Sequence, residues 1–130
     1  MKKRILMVDD DPVLTKVLRR VMDMEPEWEF FSAPDAVEAL RIIEEVRPDV
    51  MVLDCDLGPG KQTGLEFMRD LRRHPDHRSL PILLFTGVMV DLVDRATGLD
   101  LGADGYVLKP VSPPILLAKA SAAIRRAAAK

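Results

Sequence analysis

Asp49-Val50-Met51-Val52-Leu53-Asp54 is the stretch on which the fold turns. Val50 to Leu53 form an unbroken apolar run, with Pro48 before it and the Gly58-Pro59-Gly60 loop after it. A strand with one wet face alternates apolar and polar residues; an unbroken run is expected of an inner parallel strand covered on both faces. The run ends in a carboxylate, Asp54. Open α/β sheets bind ligands beyond the carboxyl ends of their strands. Asp54 is therefore the point from which function is read.

Working outward, Ile5-Leu6-Met7-Val8 is a second such run and ends in Asp9-Asp10-Asp11-Pro12. Asp11 before Pro12 predicts a helix start, with a carboxylate N-cap and proline at the first helical position. Val13, Leu14, Val17, Leu18, Val21 and Met22 recur at helical spacing to about Met24, and Pro26 closes the helix. Residues 28–32 read as a weaker, edge-type strand. Asp35 caps a second predicted helix carrying Ala36, Val37, Ala39, Leu40 and Ile43, which Arg47-Pro48 ends. A loop then runs to Gln62 or Thr63, and a third helix turns Leu65, Met68 and Leu71 inward.

Pro81 to Phe85 predicts the fourth strand, ending in Thr86-Gly87. A fourth helix with a thin apolar stripe is expected at about residues 90–101, followed by a turn at 102–105. Tyr106-Val107-Leu108 is the fifth strand, ending in Lys109-Pro110, and a fifth helix runs from Ser112-Pro113 to the end. Five strands alternating with five helices predict an α/β fold, a doubly wound parallel sheet covered on both faces. Right-handed crossovers bring every carboxyl end to one edge. Asp9-Asp10, Ser32, Asp54, Thr86 and Lys109 are thereby gathered on one rim.

At 130 residues the chain is long enough for one domain with a single core and too short for two ordinary ones, so 1–130 is read as a single domain. Lys+Arg 19 against Asp+Glu 21 gives a net charge of -2, which provides no basic footprint for direct nucleic-acid binding. Cys55 is the single cysteine, so no intrachain disulfide forms and a reducing compartment fits. Met1-Lys2-Lys3-Arg4 carries the charge of a signal peptide, but the apolar stretch after it stops at Val8. That is too short for a leader or a membrane span, and the expected location is the cytoplasm.

Carboxylates on adjacent strand ends repel one another unless a cation sits between them. An all-oxygen set with open positions suits Mg²⁺, which keeps several waters and joins carboxylates to phosphate. Asp9 and Asp10, coming directly off a strand, are candidate ligands with Asp54; Asp11 reads as the helix cap. Lys109 places a point charge that can meet the carboxylates or a phosphoryl oxygen, and Pro110 after it marks a constrained turn with a cis bond in prospect. The Thr86 hydroxyl can donate to the same group, with Gly87 leaving room. These residues describe a phosphoryl site with Asp54 as the nucleophile that forms an acyl phosphate.

Val8-Asp9-Asp10-Asp11-Pro12, the central strand ending in Asp54, Phe85-Thr86-Gly87 and Tyr106-Val107-Leu108-Lys109-Pro110 together resemble the signature of bacterial two-component response-regulator receiver domains. The resemblance covers essentially the whole chain. It implies a flavodoxin-like sheet of strand order 2-1-3-4-5. It also implies that Asp54 accepts a phosphoryl group from a histidine kinase or histidine phosphotransfer protein. Asp9 and Asp10 would be the acidic pair for Mg²⁺, and Asp56 would complete the metal site through its main-chain carbonyl. Thr86 and Lys109 would bind the phosphoryl oxygens, and Tyr106 would turn inward as Thr86 shifts. The face of the fourth helix, fifth strand and fifth helix would then signal to an effector domain or a downstream protein. The protein would be a signalling switch, with at most self-phosphorylation and autodephosphorylation as its chemistry.

The chain departs from that pattern in places. The loop from Leu57 to Gly64 is about two residues longer than the common form, and Asp56 adds a carboxylate beside the metal site. The last third is similar to receivers joined to winged-helix domains, yet Ile115 and Gly105 stand where that subfamily commonly has Glu and Asp on its charged dimer face. Homodimerisation therefore stays open, and no effector domain follows within these 130 residues. Cys55 reads as a packed residue. The strongest rival is a Mg²⁺-dependent phosphatase of the haloacid-dehalogenase type, since Asp54-Cys55-Asp56 mimics its paired aspartates after a strand. A nucleotide-binding module would need a glycine-rich loop where Asp9-Asp10-Asp11 stands.

Overall fold

The computed structural model describes residues 2–87, 102–110 and 112–129. In chain order these form β1 (Lys3–Val8), α1 (Pro12–Met22), β2 (Trp28–Ala33), α2 (Ala36–Val46), β3 (Val50–Asp54), α3 (Gly64–Arg73), β4 (Ile82–Thr86), β5 (Gly105–Leu108) and α4 (Pro113–Ala128). The helix expected at 90–101 lies outside the described residues, so the described chain has five strands and four helices. Every strand pairing is parallel and the order is β2-β1-β3-β4-β5. β2 is an edge strand, as its weak pattern predicts.

The apolar run of β3 is buried throughout because its residues feed two cores. Val50 and Val52 join Ile5, Met7, Leu83, Phe85 and Val107, covered by Leu18 and Met22 of α1 and by Leu116, Ala120 and Ala123 of α4. Met51 and Leu53 join Leu6, Val8, Ile82 and Leu84, covered by Ala39, Ile42 and Ile43 of α2 and by Phe67, Met68 and Leu71 of α3. Each large side chain taken fully out of water contributes roughly 1.5–3 kcal/mol. A sheet buried on both faces is thus the arrangement that uses every apolar residue of the run.

The helices carry more apolar residues than the sheet covers. Val13 and Val17 on α1 and Val37 on α2 are 70%, 54% and 83% exposed, so the apolar face of each helix is wider than the arc that meets the strands. Phe67, not singled out by periodicity, is buried instead. Helix starts follow their caps: the Asp11 carboxylate accepts from Val13 and Leu14 N–H, Asp35 accepts from Glu38 N–H, and Thr63 with Glu66 forms a capping box. α1 stops at Met22, two residues before Met24, and β5 begins at Gly105, inside the expected turn.

Arg72 ties the end of α3 to the base of β4 and β5. Its guanidinium donates to the carbonyls of Gly102 (2.9 Å), Arg78 (3.1 Å) and Leu80 (2.7 Å) and to Asp104 Oδ2 (3.1 Å). Asp104 Oδ2 also accepts from Ile82 N–H at 2.8 Å, which sets where β4 and β5 begin to pair. Among the described residues no helix is long and apolar enough to cross a membrane.

Candidate functional site

The register of the sheet assembles the rim. Val8 of β1 stands opposite Leu53 of β3, so Asp9 leaves its strand beside Asp54. Asp54 in turn stands opposite Phe85, and Thr86 opposite Leu108. Lys109 N–H therefore donates to the Thr86 carbonyl at 2.7 Å, holding these two residues side by side. The Lys109–Pro110 peptide bond is cis.

One carboxylate oxygen each from Asp9, Asp10 and Asp54 lies within 4.8 Å of the others. Asp9 and Asp54 are buried and Asp10 is exposed, so the cluster opens to solvent on the Asp10 side. Lys109 Nζ lies 2.8 Å from Asp54 Oδ2 and 3.2 Å from Asp9 Oδ2, and 4.9 Å from the centre of the Phe85 ring. Three carboxylates facing one ammonium leave two negative charges uncompensated. Asp9 Oδ1 accepts from Asp11 N–H at 2.9 Å. Its Oδ2 is buried without a well-directed hydrogen bond, despite the ammonium nearby.

Ionisation follows from these contacts. Burial pushes the Asp9 carboxyl above its ordinary range and the Asp54 charge adds to this; Asp11 N–H and Lys109 oppose it. Burial pulls Lys109 down, but its contacts with Asp54 and Asp9 outweigh that and hold the ammonium above its usual value. Lys109 is thus a fixed positive charge at neutral pH. The donor set, the excess negative charge and the under-satisfied Asp9 oxygen all fit a small divalent cation with oxygen ligands.

Asp56 stands outside the carboxylate cluster. Its N–H donates to Asp54 Oδ1 (3.1 Å), which orients the acceptor carboxylate, while its own Oδ1 accepts from Gly58 N–H (3.0 Å) and shapes the loop. Thr86 is buried at the end of β4. Ser32 lines the same groove as Asp9 and Asp10, where its hydroxyl accepts from Arg19 at 2.9 Å. Cys55 and Tyr106 are half-buried against the core beneath α2 and α3.

Two features escaped the sequence reading. Gly64 opens α3 so close to the strand that an added Cβ would lie 1.9 Å from the Asp54 carbonyl oxygen. Gly58 has a positive φ of 108°, and a Cβ there would lie 3.2 Å from Asp10 Oδ2. Glycine is an ordinary loop residue, and its closeness to a neighbouring strand end has no signal in sequence beyond its position after Thr63 or within Gly58-Pro59-Gly60.

Comparison with known proteins gives one consistent picture. The family model of the response regulator receiver domain matches residues 5–121. The DNA-binding response regulator MtrA of Mycolicibacterium smegmatis is 40% identical over 126 residues, covering 97% of this chain and 52% of that protein. The chain spans about half the length of the curated relatives it matches. A response regulator receiver domain protein (CheY-like) from Methanospirillum hungatei superimposes with a TM-score of 0.83 at 28% identity, covering 98% of this chain and 97% of that one. The chemotaxis response regulator CheY4 of Vibrio cholerae does so with 0.81 at 26%, covering 95% and 99%. The phosphatase reading finds no support among these relatives.

Proposed function

The chain belongs to the response-regulator receiver family of two-component systems, and from that premise we propose that Asp54 is its phospho-acceptor. The observation that carries this reading is the cluster of buried Asp54 and Asp9 with half-buried Lys109, with Asp10 at its open side. An Asp54 oxygen attacks the phosphorus of a phosphohistidine, or of a small acyl phosphate, and the donor leaves with the bonding electron pair. Asp56 N–H holds Oδ1, so the carboxylate cannot rotate freely. Lys109 and the Thr86 hydroxyl receive the oxygens of the transferred group.

Mg²⁺ would be held by Asp9, Asp10, Asp54 and the main-chain carbonyl of Asp56, and would neutralise charge between carboxylate and phosphoryl group. Phosphorylation adds charge and acceptor oxygens at Asp54, Lys109 and Thr86 re-pair, and Tyr106 takes up the space Thr86 leaves. The output face comprises β5, α4 and the helix expected at 90–101, and Leu108 and Ile115 are already 44% and 55% exposed there. Its partner is an effector domain or a downstream protein, while phosphate enters from a histidine kinase or phosphotransfer protein in the cytoplasm. The domain itself does not bind nucleic acid, and its chemistry is limited to its own phosphorylation and dephosphorylation.

Incubation with acetyl phosphate and Mg²⁺ should add one phosphoryl group by intact-mass analysis, and Asp54→Asn should add none. Equal labelling of the Asn variant overturns the assignment.

A further inference from the structure

The loop from β3 to α3 does more than connect them. Lys61 Nζ pairs with Asp35 Oδ2 at 3.3 Å. Lys61 follows β3, and Asp35 follows β2. The sheet order is β2-β1-β3, so the ion pair joins loops that leave the strands on either side of β1, at whose end the Asp9-Asp10 pair sits. Gly58 lies in the same loop as Lys61, so close to the acid pair that an added Cβ would lie 3.2 Å from Asp10 Oδ2. Two further contacts fix the strap: Gly58 N–H donates to Asp56 Oδ1 (3.0 Å), and Lys61 N–H to the Gly58 carbonyl (3.4 Å). Asp10 is the exposed member of the acid cluster, so the strap lies beside a solvent-open side of the site.

We infer that Lys61 is a positioning residue: paired with Asp35, it lashes the Gly58–Lys61 strap beside the acid pocket and slows hydrolysis of the phosphorylated aspartate. The inference rests on Asp54 being the acceptor and concerns the lifetime of that acyl phosphate. Hydrolysis needs water to attack the phosphorus of phospho-Asp54, with the carboxylate leaving and inorganic phosphate released. A strap held at Gly58 narrows the approach beside Asp10. The pair is partly exposed, at 47% and 28% of the side chains, so its hold is weak and sensitive to salt. That size is suited to adjusting a rate and too small to decide whether the domain folds.

The test compares wild type, Lys61→Ala, Asp35→Asn, the double variant and Lys61→Arg after acetyl phosphate is removed, following loss of the phosphoryl group by intact mass. Asn still caps α2 as Asp35 does through Glu38 N–H, so Asp35→Asn removes the charge and spares the helix. Each single variant should lose phosphate about two- to fivefold faster, the double variant no faster than either single one, and Lys61→Arg at the wild-type rate. Added salt should speed the wild type toward Lys61→Ala and leave that variant unchanged. Amide hydrogen exchange at Gly58 and Gly60 should quicken in Lys61→Ala before any phosphorylation. Wild-type rates in both single variants, or effects that multiply in the double variant, overturn the lash. Labelling that survives Asp54→Asn overturns the acceptor instead, and the exchange measurement then still decides whether the strap is held.

Discussion

Gly64→Ala separates two opposing effects at the base of the site. By helix propensity the change should help, since alanine is better than glycine by about 1 kcal/mol within a helix. The structure reverses the sign. The new Cβ would lie 1.9 Å from the Asp54 carbonyl oxygen, 2.9 Å from its carbonyl carbon and 3.0 Å from Cys55 Cα. These are backbone atoms of the sheet edge and cannot swing aside, so the first turn of α3 must retreat by about 1 Å or more to reach ordinary contact. Gly64 N–H also donates to the Cys55 carbonyl at 3.0 Å, a bond the retreat would lengthen. Overpacking of this kind costs up to about 3 kcal/mol, and a clash with fixed backbone falls at that upper end, so the net loss reaches up to about 2 kcal/mol after the propensity gain. Urea denaturation should show a lower midpoint with an unchanged slope, and acetyl phosphate should label Asp54 more slowly because its backbone is displaced. A midpoint at or above wild type would refute the steric argument.

Asp9 and Arg72 test other parts of the same account. The folded state holds the Asp9 carboxyl above 3.8, so without metal it keeps a proton that the unfolded chain releases, and stability falls as pH rises from 3.8 through the raised value. Asp9→Asn should flatten that fall in denaturation series run in EDTA and should shrink the stabilisation that Mg²⁺ confers; an undiminished pH slope would assign it to other groups. Arg72→Ala removes the donor to three carbonyls and to Asp104 and should cost roughly 2–4 kcal/mol in urea denaturation. A loss below 0.5 kcal/mol, the scale of an ordinary surface change, would show that the knot at the base of β5 is dispensable.

The alternation of strands and helices was legible because local patterns carry it. Val50 to Leu53 read as an inner strand from apolarity alone, and Asp11 and Asp35 marked helix starts because capping is a contact over two or three residues. Placement of Asp9, Asp54, Thr86 and Lys109 on one rim followed from chain topology without any coordinate. Periodicity reports which residues of α1 and α2 share a side and not how much of that side a neighbour covers, so the exposure of Val13 and Val37 was not legible in it. The Asp56 carboxylate accepts from Gly58 N–H, a contact no local pattern announces, because which way a loop side chain turns depends on the backbone amides it meets.

From its residues alone, then, this protein had a parallel sheet, a rim of acids with one lysine, and a family resemblance that the comparisons uphold. Tertiary structure decided the rest: the register that sets Lys109 beside both Asp54 and Asp9, the closeness that requires glycine at 64, and the Lys61–Asp35 pair between the loops that follow β3 and β2. The division has one physical cause. Hydrophobic period and capping are properties of neighbours along the chain, whereas register, clearance and charge pairing join residues that are distant in sequence and meet only when the sheet is built.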